Sequence, residues 1–525
     1  MSRPKKSRPE EEPSSIGPDV RPKAKPRARK TAAKVASVPH PVSEKPAPKP
    51  RAPRKPRTPS APKAKPNAKA VAAPPMWSLS PERKRILCLS GGTASILFLV
   101  GMYLFYSIDY PYYDQWDFVP FLEKAYARQL TWTDFWAQHN EHRLVFPRLL
   151  MLVLARLSHW NIYLELGANF ILAGLTWLVL CAQAKAGGRR VFEGTSITIY
   201  LMLTLLIFSL SQWQNWFNGW QLQEFMNVLA AVLSFIALTW GGLPGLGIGL
   251  AACFGLVATG SFANGILVWP IGLILLILQR AERDKYLRFE LLGWFAVGMA
   301  VTWAYLRDYA TPSYHPPLSS ALNQPLQCVL YVLAYLGQPV WNLDPVVSIV
   351  MGMIGLLLWS TSLAQLFLSR VSLRVLSPWI GMALYAIGTA AITALGRVDI
   401  GLDQAMSSRY VTMANLLWVA VAIQFYWVAR LNDGPIVRRT LAVKVVALCA
   451  LLLTASLTGA YRWAERHHAY SGLRNQVLQG YDLESLHTVY PPNPAAVVER
   501  RVILHRLGLT VYRGKGLPLP AGPPP

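Results

Sequence analysis

Apolar segments recur along this chain from residue 86 to residue 461, separated by shorter polar stretches. An α-helix needs about 20 apolar residues to cross the hydrocarbon core of a bilayer, and most segments approach that length. The pattern therefore predicts an all-α integral membrane protein with about eleven transmembrane helices, within a range of ten to thirteen. The predicted spans are 86–107, 163–182, 196–210, 224–241, 245–260, 265–279, 290–306, 346–368, 376–395, 411–429 and 441–460.

The apolar stretch 328–341 needs a separate interpretation because it is short for a span. If it crossed the membrane, Arg370 and Arg430 would lie on the side opposite the N-terminus. Arg83 and Arg85 precede the first span and place the N-terminus in the cytoplasm, where loop arginines are enriched. We therefore interpret 328–341 as re-entrant or interfacial, which returns the later arginines to the cytoplasmic side.

Composition separates a basic N-terminal tail from the membrane domain. The 525 residues carry a net charge of +25, and residues 1–75 hold 20 Lys and Arg against 5 Asp and Glu. This part is rich in Pro, Lys and Ala and has no Phe, Trp or Tyr, so we predict a disordered cytoplasmic tail over residues 1–82. Its positive charge favours contact with anionic membrane lipids. A partner nucleic acid is not expected, because stacking aromatics are absent.

The multi-pass domain is predicted over residues 83–461, and its loop 108–160, termed the first loop, is too polar to span. Apolar residues at helical spacing predict two amphipathic interface helices in this loop, Phe118–Leu130 and Leu144–Leu157. Titratable groups gathered in one extramembrane loop indicate a reaction site. The candidates in this loop are Asp114, Asp117, His139, Glu141, His142 and Arg143.

Two further loops are predicted on the same side as the first loop. The second loop, 211–225, carries tryptophans among amides, which indicates either an interfacial aromatic belt or indole platforms for a sugar or lipid carrier. Its candidates are Trp216, Gln221 and Glu224; an acid at the start of a span is costly unless it faces a cavity. The third loop, 396–410, carries Arg397 and Arg409.

Carboxylates opposite arginines suit a glycosyl transfer from a lipid-phosphate sugar. A carboxylate of Asp114 or Asp117 can accept the proton of an attacking hydroxyl, and arginine can hold the departing phosphate through a two-pronged hydrogen bond. Each candidate also has a structural interpretation: acids favour a first helical turn, and span-end arginines pair with local acids. His139 and His142 would share a helical face and supply half a metal site, although no cysteine or third ligand is spaced nearby.

Four segments carry a family resemblance: YDQWDF (113–118), HNEHRLVFPRLL (139–150), QWQNWFNGWQ (212–221) and the arginine-bearing 396–410. They look like segments of a group of bacterial multi-pass proteins regarded as GT-C enzymes. The first loop with paired acids, the amphipathic interface helices and the many spans resemble the GT-C superfamily of integral-membrane glycosyltransferases, which includes protein O-mannosyltransferases, aminoarabinose transferases and oligosaccharyltransferases. The resemblance implies a GT-C-like fold with a first-loop acid as base or metal ligand. The spacing here is D-x-x-D rather than D-x-D, so a divalent metal (Mg²⁺ or Mn²⁺) at these acids stays open.

The function expected from these observations is transfer of a sugar from a polyprenyl-phosphate-linked donor to a periplasmic glycan, lipid or protein. The site would lie on the periplasmic side of a bacterial inner membrane. A transporter or flippase for a lipid-linked sugar is the first alternative, but it predicts internal repeats and charges within several spans. A polysaccharide polymerase or ligase and an envelope scaffold are further alternatives. Residues 462–525 are expected to form a periplasmic tail or a small cap, with an amphipathic piece near Val497–Leu509.

Overall fold

The computed structural model describes residues 80–514, apart from 193–195, 241–244, 281–285, 313–315, 432–433, 480–488 and 491–492. The predicted basic tail lies almost wholly outside these residues. The helices are α1 Pro81–Tyr106, α2 Val119–Tyr126, α3 Trp132–Trp136, α4 Val145–Ser158, α5 Ile162–Phe192, α6 Ile197–Ile207, α7 Trp213–Trp216, α8 Leu222–Ala237, α9 Leu246–Thr259, α10 Val268–Leu278, α11 Leu287–Leu306, α12 Leu318–Asn323, α13 Pro325–Gly337, α14 Pro345–Leu368, α15 Leu373–Arg397, α16 Leu402–Ala405, α17 Val411–Leu431, α18 Pro435–Gln479 and α19 Pro494–Leu507. Two short strands, β1 Gln138–His139 and β2 His142–Arg143, form one antiparallel pair.

Long apolar helices confirm an all-α, multi-pass membrane protein. Among the described residues, eight helical segments are long and apolar enough to cross a membrane. They are Pro81–Tyr106, Ile162–Gly188, Ile197–Trp216, Leu287–Leu306, Pro345–Leu368, Leu373–Ile400, Ser408–Leu431 and Ala442–Gly472. The other predicted spans fall on the shorter helices α8, α9 and α10. Of these eight segments, Ile197–Trp216, Leu373–Ile400 and Ser408–Leu431 are the most buried.

Helix α13 covers most of the ambiguous stretch 328–341. Its 13 residues extend about 20 Å, which is short of the ~30 Å hydrocarbon core. It packs against α14 with the backbones in close approach: the Ser348 hydroxyl donates to the carbonyl of Ala334 at 2.8 Å. A side chain at Gly352 would overlap the carbonyl of Leu333, so only glycine fits there. The length agrees with a re-entrant or interfacial helix, which stays a prediction.

The two helices predicted in the first loop both form, but they differ in surroundings. Helix α2 ends at Tyr126 instead of Leu130, because the backbone turns at Arg128 with φ +59°. Its apolar side chains are buried within the protein instead of facing lipid, which corrects the interface prediction for this helix. Helix α4 exposes one apolar side chain per turn, a stripe suited to a membrane interface: Leu149, Val153 and Leu157.

The C-terminal residues pack on the first loop. Helix α18 continues through the predicted boundary at residue 461, so that boundary is wrong. Beyond it, residues 489–490 and 493–514, termed the C-terminal segment, place Val497, Leu504 and Leu509 in one apolar cluster with first-loop side chains. Of the two expectations for the C-terminus, the described part agrees with a small cap.

Gly352→Ala tests the close approach of α13 and α14. The added methyl group would force the helices apart, so we expect a loss of about 1–3 kcal/mol of unfolding free energy. Gly249→Ala in α9 is the matched control, because no atom lies within 4 Å of its Cβ position. Thermal unfolding in detergent measures both; equal melting temperatures for Gly352→Ala and wild type would refute the packing.

Candidate active site

The sequence YDQWDF forms a 3₁₀-helix, Tyr113–Phe118, which explains the spacing of its acids. Side chains three residues apart eclipse each other in this helix, so Asp114 and Asp117 lie on one face. The helix begins after Tyr112, whose N–H donates to the side-chain oxygen of Gln115 at 3.1 Å. The D-x-x-D spacing therefore brings both carboxylates toward the same neighbouring side chain, His139.

Glu165 connects this 3₁₀-helix to the second loop. The contacts of its carboxylate are termed the Glu165 network. Its buried carboxylate accepts hydrogen bonds from Gln115 Nε2 and Trp160 Nε1, each at 2.7 Å. Gly219 of the second loop packs on the same carboxylate, and a side chain at that position would overlap it. The residue that follows, Trp220, is thereby carried toward the first-loop acids.

The segment HNEHR forms the β1–β2 hairpin, not the helical turn that the shared-face interpretation of its histidines assumed. Asn140 takes φ +49°, a conformation that asparagine tolerates better than most residues, and His139 pairs with His142 across the strands. His142 Nδ1 accepts the N–H of Ala263 at 3.1 Å, and its ring stacks on Phe262. Among the described residues, the group that could hold a metal ion contains His139 with Asp114 and Asp117 and does not include His142.

His139 lies between the two first-loop acids. Its Nε2 is 3.8 Å from Asp114 Oδ2, and its Nδ1 is 3.7 Å from Asp117 Oδ2. The ring meets the edge of Trp220 at a centroid distance of 4.9 Å. Within the described part of the chain, Asp114, Asp117 and His139 bring three possible ligand atoms within 4.8 Å of one another.

The two acids differ in their other partners. Asp117 Oδ1 accepts hydrogen bonds from the Tyr490 hydroxyl at 2.6 Å and from Arg500 at 2.7 Å, both from the C-terminal segment. Asp114 lines a cavity instead. Burial raises the pKa of Asp114, but His139, Arg409 and His142 outweigh it and hold that pKa below its usual value. Asp114 is therefore ionised at neutral pH.

The cavity at Asp114 is small, about 40 Å³, and gathers side chains from all three loops. Its lining includes Asp114, His139, Asn140, Glu141, His142, Trp220, Gln221, Gln223, Glu224, Phe262, Arg397, Arg409 and Tyr410. Most of the residues singled out in the sequence thus come together here. Buried Glu224 accepts a hydrogen bond from Asn215 at 3.1 Å, and its carboxylate meets the expectation that it faces a cavity.

The two third-loop arginines are engaged differently. Arg397 forms an ion pair with Glu141 at 2.5 Å and donates to the Tyr410 hydroxyl at 2.8 Å. The Nε of Arg409 is buried at the cavity and has no hydrogen-bond partner among the residues that the structure describes. Arg409 is therefore better placed than Arg397 to bind an added anion.

A second cavity of about 240 Å³ adjoins the first. The two share a wall that includes Glu141, Glu224, Arg397 and Tyr410. The far part of the second cavity combines apolar side chains with hydroxyl and amide groups, among them Asn264, Tyr309, Thr389 and Thr393. Such a lining can hydrogen-bond a neutral, hydroxyl-rich molecule.

Trp216 does not line either cavity, which corrects its prediction as a sugar platform. The indole is fully buried, its Nε1 donates to the Ser209 carbonyl at 2.8 Å, and its ring packs among Phe170, Phe208 and Phe225. Trp220, four residues later, faces the cavity in its place.

The prediction of Arg143 as a binding residue is also corrected, because its guanidinium is hydrogen-bonded within the protein. It donates to the carbonyls of Tyr305 at 2.8 Å, Trp136 at 2.9 Å and Arg307 at 2.6 Å. Its side chain is buried against the rings of Trp136 and Tyr305. Arg143 therefore fastens the hairpin to the end of α11 and leaves phosphate binding to other residues.

Five cavity residues were not among the sequence candidates: Asn140, Trp220, Gln223, Phe262 and Tyr410. Tyr410 directly follows Arg409. A tyrosine hydroxyl next to a candidate phosphate-binding residue could have identified Tyr410 as a site residue. Gln223 gave no such signal, since it is one of several amides in the second loop. Comparison of the chain with protein-family models, curated proteins and solved structures found no match.

His142 makes stability depend on pH. Burial lowers its pKa to about 4, below the usual ~6.5, although Glu141 opposes the shift. As pH falls from 7 to 5, the unfolded chain binds a proton that the folded chain excludes, which removes about 2 kcal/mol of stability. We expect His142→Asn to lose less stability over this range in thermal unfolding. Exposed His159→Asn is the control and should match wild type; equal slopes for all three proteins would refute the assignment.

Arg143→Met should destabilise the protein, since it leaves three carbonyls without their donor. We expect a loss of at least about 3 kcal/mol of unfolding free energy. Arg409→Met should lose less than half as much, because its Nε has no partner to forfeit. Thermal unfolding of both variants gives the comparison, and a larger loss for Arg409→Met would reverse the two roles.

Proposed function

We propose that this protein is a GT-C-like glycosyltransferase of the bacterial inner membrane, with about eleven spans and a cytoplasmic N-terminus. It would move a sugar from a polyprenyl-phosphate-linked donor to a periplasmic glycan, lipid or protein. One observation carries the proposal: the ionised Asp114 and the Nε-unpartnered Arg409 line one cavity, whereas Asp117 and Arg397 are held by other residues.

In the proposed reaction, Asp114 is the base. The oxygen of an acceptor hydroxyl attacks the anomeric carbon while its proton passes to the Asp114 carboxylate. The bond between that carbon and the phosphate oxygen breaks, and the phosphate leaves with the electron pair. Arg409 holds the phosphate through charge-assisted hydrogen bonds, which stabilise the negative charge as it develops.

The remaining cavity residues have supporting roles in this proposal. His139 fixes the orientation of Asp114 from a distance of 3.8 Å. Trp220 offers an indole face to the sugar, and Gln221 and Glu224 offer hydrogen bonds to its hydroxyl groups. Glu141 positions Arg397 in the wall between the cavities.

The second cavity is proposed to receive the acceptor. Its hydroxyl and amide groups suit a carbohydrate, and it meets the first cavity at the wall of Glu141, Glu224 and Arg397.

A divalent ion at the first-loop acids was an open expectation. The spacing of Asp114, Asp117 and His139 suits Mg²⁺ or Mn²⁺, which would supply positive charge to the donor phosphate. The charge balance does not suit it, because Arg500 already pairs with Asp117 at 2.7 Å. The proposed transfer therefore uses side chains alone.

Sugar transfer by purified protein from a panel of polyprenyl-phosphate sugars tests this function. Asp114→Asn should lower the rate by about 10²–10⁴-fold, the usual contribution of a general base. Arg409→Gln should also lower it, because the leaving phosphate loses its counter-charge. Asp308→Asn is the control: Asp308 is exposed, takes φ +56°, which asparagine tolerates, and should leave the rate unchanged.

Two outcomes would contradict the proposal. Full activity in Asp114→Asn would remove the assigned base. Binding of the carrier by wild type without transfer to any acceptor would favour the lipid-linked-sugar flippase.

A further inference from the structure

The C-terminal segment presents arginines to the acids of the first loop. Arg500 pairs with Asp117 at 2.7 Å, Arg506 pairs with Glu123, and Arg513 pairs with Asp109. Of these three arginines, Arg500 is the one that reaches the Asp114–Asp117–His139 cluster. Arg506 and Glu123 pair on the exposed surface, where ion pairs contribute little.

Arg500 is the end of a continuous row of four polar side chains. Its guanidinium contacts Asp117 Oδ1, Asp117 Oδ2 lies 3.7 Å from His139 Nδ1, and His139 Nε2 lies 3.8 Å from Asp114. These four side chains are all less than a third exposed. Charges in such partly buried places act on each other more strongly than charges in bulk water.

The guanidinium is held in a fixed place. It lies over the ring of Tyr490 at 5.5 Å, and the Tyr490 hydroxyl donates to the same carboxylate oxygen of Asp117. Helix α19, which carries Arg500, buries Val497 and Leu504 in the first-loop cluster. The N–H of Thr510 donates to the His159 carbonyl at 3.0 Å and fastens the end of the segment.

We propose that Arg500 is the resident cation of the first-loop cluster. It neutralises Asp117 and keeps a divalent cation out of a set of ligands whose spacing would otherwise accept one. Arg500 is thus a positioning residue: it acts on Asp114 through Asp117 and His139. The proposal rests on the proposed function only for the role of Asp114, since exclusion of the ion is a property of the cluster itself.

Mn²⁺ binding to the purified full chain tests this directly, by electron paramagnetic resonance of the free ion. Arg500→Gln should bind Mn²⁺ at least tenfold more tightly than wild type. The double variant Arg500→Gln with Asp117→Asn should lose that gain, which locates the new ion at the cluster. Arg506→Gln is the matched control, because it breaks a similar ion pair on the same helix away from the cluster. It should bind as wild type does.

Two results would overturn the proposal. One is Arg500→Gln with no gain in Mn²⁺ affinity although its melting temperature shows that it is folded. The other is tight Mn²⁺ binding by wild type that Asp114→Asn abolishes. This second measurement can be made even if Arg500→Gln fails to fold. Arg500→Lys retains the charge and should exclude Mn²⁺ as wild type does. None of these measurements needs turnover, so failure of the sugar-transfer assay would leave them interpretable.

Discussion

A buried carboxylate must be hydrogen-bonded to be tolerated, and Glu165 meets this requirement by joining separate parts of the chain. Gln115 from the first loop and Trp160 before α5 donate to its two oxygens, and Gly219 of the second loop packs directly against it. The turn that carries Asp114 and the loop that carries Trp220 are thereby fixed to one point. The cavity between them depends on this network, because Asp114 and Trp220 lie on 3₁₀-helices of six and three residues, which are too short to orient themselves alone.

Chemically similar residues of the site differ in the hydrogen-bond and ion-pair partners that they already have. Of the two first-loop aspartates, Asp117 is held by Tyr490 and Arg500, and Asp114 faces the cavity. Among the arginines, Arg143 donates hydrogen bonds to carbonyls and Arg397 pairs with Glu141. The Nε of Arg409 has no hydrogen-bond partner among the described residues. Asp114 and Arg409 line the same cavity, as the proposed binding of an anionic sugar donor requires.

Much of the helical framework was predictable, because long apolar runs have few alternatives to a membrane helix. All eleven predicted spans fall on helices, and the short α13 matches the stretch that resisted a simple assignment. The errors have physical causes. HNEHR fits a helical face by spacing, but Asn140 at φ +49° turns it into a hairpin. Helix α18 continues past its apolar part, so hydropathy alone misplaces its end.

The candidate site was predictable in residue types but not in pairings. The sequence brought Asp114, His139, Glu224 and Arg409 to attention, and they do share one cavity. It could not show that Arg500 binds Asp117, since the two lie 383 positions apart.

The most direct measurement of the central claim is an experimental structure of the protein with a bound polyprenyl phosphate. The account predicts phosphate density within hydrogen-bonding distance of the Arg409 guanidinium, in the cavity of Asp114. Phosphate bound elsewhere, with this cavity unchanged, would contradict it.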